Sequence, residues 1–179
     1  IQTENVDCNV SVKLTQLGLA LDQDFARQNL LLIAGRARDR NNFVRVDMED
    51  SAYVQSTLNL VTQVHQQLGS GGAVIQAYLY RSEQDTARLL ERGIRIRLVK
   101  GAYLEPESIA FRRKEDTDAN FLKLMKMLLA SEPYHAIATH DESIIAATRE
   151  FAASQGIPKE HFEFQMLYGV TPELRQYIM

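Results

Sequence analysis

Six polar side chains recur along this chain at intervals that bring them to the ends of strands: Lys13, Asp47, Gln76, Lys100, His140 and Gln165. Each closes a short apolar run and precedes an amphipathic stretch. Arg97 and Thr139 stand beside two of them. Lysine and arginine at strand ends suit an anionic ligand such as a carboxylate or a phosphate-bearing cofactor. Gly101, next to Lys100, lets backbone approach a ligand closely. The competing reading is an internal salt-bridge network that only stabilises the fold. His140, Asp141 and Glu142 are adjacent and point different ways, so Asp141 is expected to cap the following helix rather than bind metal. His65, His135 and His161 have no ligand spacing, and no metal site is expected. Lys100 also admits a Schiff-base lyase or aldolase reading, because a lysine at a barrel strand end can act as an amine nucleophile. A non-catalytic barrel fragment is the remaining alternative.

The elements that must position these residues follow from periodicity. Strand-like runs are expected at 10–18, 43–50, 73–80, 94–103, 136–141 and 162–169. "IRIRLVKGAY" alternates, so Ile94, Ile96 and Leu98 share one face and Arg95 and Arg97 the other. Helices are expected from near Asp22, over 51–68, from Glu83 to Arg92, from about Asp116 to Ala130, from 141 to before Gly156, and opening at "TPEL", where Thr171 can cap. Phe25, Leu32 and Ile33 are read as apolar positions of the first. "GSGG" at 69–72 is read as a plain turn, and Arg112, Arg113 and Lys114 as a solvated loop. Strands alternating with helices predict an α/β fold with a parallel sheet. A polar face on most strands favours a (β/α)8 TIM-type barrel with a central site, about six of whose βα units are visible. Arg95 and Arg97 then face inward, with Asp47, Glu163 and a bound anion as counter-charges.

The totals agree. The chain has 179 residues, 45% hydrophobic and 24% charged, enough for a single domain over 1–179. A net charge of −3 gives no case for nucleic acid. The one cysteine, Cys8, cannot form an internal disulfide, which suggests a reducing compartment.

"SVKLTQLG", "VRVDMEDS", "VIQAYLYRSEQD", "RLVKGAYLEP", "IATHDE" and "FEFQMLYGV", in this order, resemble the proline dehydrogenase family, both the stand-alone bacterial enzymes and the matching domain of proline utilization A. The resemblance implies a distorted barrel that binds FAD, oxidises L-proline to Δ1-pyrroline-5-carboxylate and passes electrons to a membrane quinone. It implies a bacterial-type cytoplasmic protein, peripheral at the inner membrane. Carried over by motif, Lys13 holds the proline carboxylate and Asp47 orients the network beside the substrate. Met48, Gln76, Val99, Lys100, Gly101, Thr139 and His140 contact the flavin. Arg97 lies close to its reactive part, so Asp47 and Arg97 are the expected catalytic pair. Glu163 and Gln165 are expected to support. The family's first barrel strand, and its later tyrosine strand and paired-arginine helix, have no counterpart here. The expectation is therefore a barrel short of its first and last strands, with a substrate site lacking that carboxylate clamp.

Overall fold

The computed structural model describes residue 1, residues 3–4 and residues 6–174. The chain divides into two compact units, Ile1–Val74 and Ile75–Met179. The first holds β1 (Val10–Val12), α1 (Gln23–Arg38), β2 (Val44–Val46), α2 (Ser51–Leu68) and the start of β3 (Gly71–Gln76). The second holds the end of β3, α3 (Ser82–Leu90), β4 (Arg95–Val99), α4 (Lys114–Leu129), β5 (His135–Ala138), α5 (Glu142–Ser154) and β6 (Phe162–Gln165). Among the described residues six strands alternate with helices in an α/β pattern, as the periodicity predicts.

In the first unit β1 pairs parallel with β2, Val10 opposite Val44 and Val12 opposite Val46. Strand β2 pairs parallel with β3, Val44 opposite Gly71. All residues of β2 and β3 are buried, Arg45 included, as expected of parallel strands covered on both faces. The strand bounds differ from the sequence reading, and β2 ends at Val46 rather than at Asp50. Strand β1 is only three residues long; Leu14 turns fully into the core and a 3-10 turn follows over Thr15–Leu17. Strand β3 begins at Gly71, so half of "GSGG" is strand rather than turn. The reason is packing: a Cβ on Gly71 would lie 3.3 Å from the Val61 carbonyl oxygen and 3.4 Å from the His65 Cβ. Only glycine lets α2 sit this close to the sheet. Gly69, at φ +69°, ends α2.

The helices begin where local chemistry places them. Asp22 accepts the Phe25 N–H at 2.7 Å and Asp50 the Ala52 N–H at 3.0 Å, each satisfying a donor that a first helical turn leaves open. Helix α1 corrects the predicted stripe. Phe25 and Leu32 are exposed, and Ala26, Leu30 and Ala34 are the buried positions. Small side chains face the unit's core here, so hydrophobic size misidentifies the inner face.

In the second unit β4 pairs parallel with β5, Arg97 opposite Ala136, and β5 with β6, His135 opposite Phe162. Beyond β3, Ala77 donates its N–H to the Val99 carbonyl at 2.8 Å and Tyr78 to the Lys100 carbonyl at 2.9 Å. Along β4, Ile96 and Leu98 are buried and Arg97 is half-buried, which keeps the predicted alternation. Arg95, the strand's first residue, keeps the alternation and is exposed where Arg97 is half-buried. Lys114 opens α4 rather than ending a loop, and Phe121, Leu124, Met125 and Leu128 are its core positions as expected. Helical backbone also opens at Pro172, over 172–174, and its continuation lies outside the described residues. Thr171 has φ +45°, not the extended backbone of an N-cap.

His135 at the start of β5 is a structural histidine. Its Nδ1 accepts the Ile96 N–H at 3.0 Å, and its Nε2 lies 2.9 Å from Ser131 Oγ. Ser131 Oγ donates onward to the Leu128 carbonyl at 2.6 Å, so the ring is neutral with its proton on Nε2. Burial pushes its pKa down from 6.5 to about 4. The unfolded chain then binds a proton in this window that the folded chain refuses, so stability falls as pH falls from 6.5 towards 4. The expected loss from His135 between pH 7 and 5 is about 2 kcal/mol. Denaturant unfolding at the two pH values should show this slope, and His135→Gln should flatten it.

Candidate active site

Within each unit, residues just past the C-terminal ends of parallel strands lie at one edge of that unit's sheet, Lys13 and Asp47 in the first unit and Gln76, Lys100, His140 and Gln165 in the second. In the first unit, "DMED" at the end of β2 divides four tasks among four residues. Asp47 donates its N–H to the Val12 carbonyl at 2.8 Å, extending the β1–β2 ladder. Its carboxylate faces Lys13, with Oδ2 3.8 Å from Nζ; the two side chains are 25% and 41% exposed. Met48 is buried. Glu49, also buried, accepts the Thr15 N–H at 3.1 Å on Oε2 and the Thr15 hydroxyl at 2.5 Å on Oε1. Asp50 caps α2. The structure thus pairs Lys13 with Asp47, which the sequence reading offered as a counter-charge to Arg95 and Arg97. Glu49 was missed; a third carboxylate within one strand-end tetrapeptide is the signal that could have found it.

In the second unit Gln76 is buried at the end of β3. Arg97 donates from Nε to Gln165 Oε1 at 2.6 Å, and Gln165 Nε2 donates to Glu163 Oε1 at 2.5 Å. Gln165 accepts from the guanidinium and donates to the Glu163 carboxylate, so it links Arg97 to its expected counter-charge. Thr139 Oγ1 accepts the Asp141 N–H at 3.0 Å, leaving its own proton to donate. His140 Nε2 accepts the Leu167 N–H at 2.9 Å. A backbone N–H can only donate, so the neutral ring carries its proton on Nδ1. Val99 is half-buried, and its carbonyl accepts the Ala77 N–H.

Lys100 sits in a salt-bridge network, the arrangement that the competing sequence reading named. Its Nζ lies 2.5 Å from Asp118 Oδ1 and 2.9 Å from Asp141 Oδ2. Lys114 pairs with both carboxylates, 3.3 Å from Asp141 Oδ2 and closer to Asp118. Two cations thus meet two anions. Asp141 also caps α5, accepting the Ser143 N–H at 3.1 Å and hydroxyl at 2.6 Å. The Ser143 and Lys100 hydrogen bonds hold Asp141 well below the usual carboxylate range. Burial pushes Asp118 up, but the Lys100 and Lys114 hydrogen bonds outweigh it and bring it down. The hydrogen bonds that Lys114 donates to Asp118 and Asp141 raise its pKa. The ammonium of Lys100 spends two of its three donors on carboxylates and keeps one for a ligand. With two carboxylates against its Nζ, Lys100 is engaged where a Schiff-base nucleophile must be free to reach a carbonyl.

Gly101 has φ +115°, and a Cβ there would fall 2.3 Å from the Tyr78 ring. The close approach that only glycine allows is therefore made to Tyr78, whereas the sequence reading gave it to a ligand. Cys8 is an exposed free thiol. Among the described residues no group of three or more His, Cys, Asp and Glu could hold a metal ion. The end of the second unit's sheet presents Gln76, Arg97, Lys100, Thr139 and His140, a set of hydrogen-bond donors with two cations. Such a set suits an extended ligand rich in acceptor atoms.

A family model described as proline dehydrogenase matches residues 2–179. Proline dehydrogenase 1 of Bacillus subtilis (strain 168) is 42% identical over 173 residues, covering 97% of this chain and 57% of that protein. Proline dehydrogenase of Deinococcus radiodurans is 40% identical over 172 residues, covering 93% and 56%. The chain thus spans little more than half the length of these relatives. Among solved structures, proline utilization A (PutA) from Bdellovibrio bacteriovorus inactivated by N-propargylglycine superposes with a TM-score of 0.86 at 30% identity, covering 95% of this chain and 21% of that one.

Proposed function

This chain belongs to the proline dehydrogenase family, and on that premise we propose that it oxidises L-proline to Δ1-pyrroline-5-carboxylate with FAD as the acceptor, electrons passing on to a membrane quinone. The observation that carries the substrate half is the Lys13–Asp47 pair. It offers one positive and one negative group side by side, the charge pattern that an amino-acid zwitterion complements. Lys13 takes the carboxylate. Asp47 faces the amine and holds Lys13 in place. The neutral amine gives up hydride more readily than the ammonium, so the rate rises with pH as the bound amine loses its proton.

The donor set of the second unit fits FAD. FAD, when bound, supplies the two-electron acceptor for the hydride that leaves the ring carbon next to nitrogen. Arg97, steadied by Gln165, sets a fixed positive charge where electron density grows. Gln76, Thr139 and the Nδ1–H of His140 donate hydrogen bonds, Lys100 offers its remaining donor, and Val99 and Gly101 supply the apolar and backbone contacts. The (β/α)8 barrel belongs to the same proposal and is supported by the likeness to proline utilization A. So does a cytoplasmic protein attached peripherally at the inner membrane, where a quinone is reached. No helix among the described residues is long and apolar enough to cross a membrane.

The test is an absorption spectrum of the protein after adding FAD and removing the excess, followed by L-proline without oxygen. A bound flavin spectrum that bleaches with L-proline is the expected result. Bound flavin that L-proline leaves unchanged overturns the substrate reading, and failure to retain flavin overturns the cofactor reading.

A further inference from the structure

Three consecutive residues after β1 leave the strand in three directions. Lys13 turns to Asp47. Leu14 is fully buried. Thr15 is gripped twice by Glu49, through its N–H and its hydroxyl. The turn is closed locally as well: Gln16 N–H donates to the Lys13 carbonyl at 3.1 Å, and Leu17 and Leu19 N–H donate to the Leu14 carbonyl at 3.0 and 2.9 Å. Those bonds fix the shape of the turn but do not attach it to β2. Glu49 supplies that attachment from a position two residues beyond Asp47. Its backbone and that of Asp47 belong to one strand exit, so the grip on Thr15 sets where Lys13 stands relative to Asp47.

We propose that Glu49 is a positioning residue for Lys13, acting on the affinity for the substrate carboxylate. This rests on the reading of Lys13 as the carboxylate cation. A flexible lysine 41% exposed reaches many places, and its ammonium is useful only if its backbone origin is fixed. Keeping a carboxylate buried is costly unless it is hydrogen-bonded, and two bonds to one residue meet that need while tying two strand exits together. The expected signature is selective. Loosening the turn weakens carboxylate binding and leaves the reacting end untouched, so KM rises while kcat holds.

Glu49→Ala in the flavin-loaded protein is expected to raise KM for L-proline by about tenfold or more, with kcat within about threefold. The calorimetric Kd of a cyclic carboxylate that cannot be oxidised should rise in parallel. Glu49→Gln can still accept the Thr15 N–H and donate to its hydroxyl, so it should return KM to within about threefold of the parent. Glu49→Ala placed on Lys13→Met should add less than about twofold, because the two act through one contact. If Glu49→Ala folds poorly, Thr15→Val reads the same contact and should raise KM alone. A KM unchanged by Glu49→Ala or Thr15→Val overturns the proposal, as does the same fold-change with and without Lys13. If Lys13→Met itself leaves KM unchanged, the carboxylate reading of Lys13 falls first and takes this inference with it.

Discussion

Arg97→Met slows flavin reduction by L-proline by about 10²–10³-fold, the loss typical when a preorganised group facing developing negative charge is removed. The expectation rests on how this side chain is held. It rises half-buried from β4 between the buried Ile96 and Leu98, and Gln165 Oε1 takes its Nε–H at 2.6 Å. Gln165 is in turn fixed by Glu163 at 2.5 Å. A guanidinium anchored at Nε keeps its other donors aimed in one direction, so it needs no reorganisation when charge develops. Methionine retains the unbranched stem and removes only the charge and the donors, so the protein should remain folded. Arg97→Lys should recover a minor part of the rate, because an ammonium cannot reproduce the planar fork. Gln165→Leu frees the anchor while keeping the charge and should cost about tenfold. Anaerobic stopped-flow at saturating L-proline reads all three. A loss under about tenfold for Arg97→Met would remove Arg97 from the reacting end of the site.

Gly101→Ala destabilises the fold by about 3 kcal/mol or more, from two sources that add at one residue. The backbone stands at φ +115°, where L side chains are strained, and the new Cβ would lie 2.3 Å from a Tyr78 ring carbon. Tyr78 cannot simply swing aside with its backbone, because its N–H is bonded to the Lys100 carbonyl and its own carbonyl to the Phe111 N–H. Gly93 separates the two sources. It has φ +68°, but a Cβ there would meet nothing within 4 Å, so Gly93→Ala should cost only about 1 kcal/mol. Chemical denaturation of the two variants beside the parent measures the difference. Equal costs would mean that the Tyr78 ring yields freely. Because Lys100 precedes Gly101, Gly101→Ala should also weaken flavin retention, whereas Gly93→Ala should not.

Much of the candidate site was legible because strand ends are local features. Alternation in "IRIRLVKGAY" put Arg97 opposite Ile96 and Leu98, and the structure keeps that order. The Asp141 cap was legible for the same reason, since a side chain reaching an N–H two residues on depends on nothing distant. The first failures lie where size misleads. Phe25 and Leu32 are large apolar side chains of α1 that stay exposed, while Leu30 and the alanines at 26 and 34 are its buried positions. "GSGG" has the composition of a turn, and half of it became strand because α2 lies against Gly71.

Legible in the sequence were the six strands found among the described residues, the helices between them, the cap at Asp141 and the polar residues that end the strands. Those properties follow from side-chain period and from hydrogen bonds within a few residues. Tertiary structure alone decided who pairs with whom. Arg97 meets Gln165 across 68 residues, Lys100 meets Asp141 across 41, and Thr15 meets Glu49 across 34. Such pairs depend on strand register and on where a helix docks, and a shift of one residue would turn each side chain to the opposite face. Lys100 therefore gains its two carboxylate partners only in the fold, and Glu49 passes from an unremarked acid to the bond that holds Lys13.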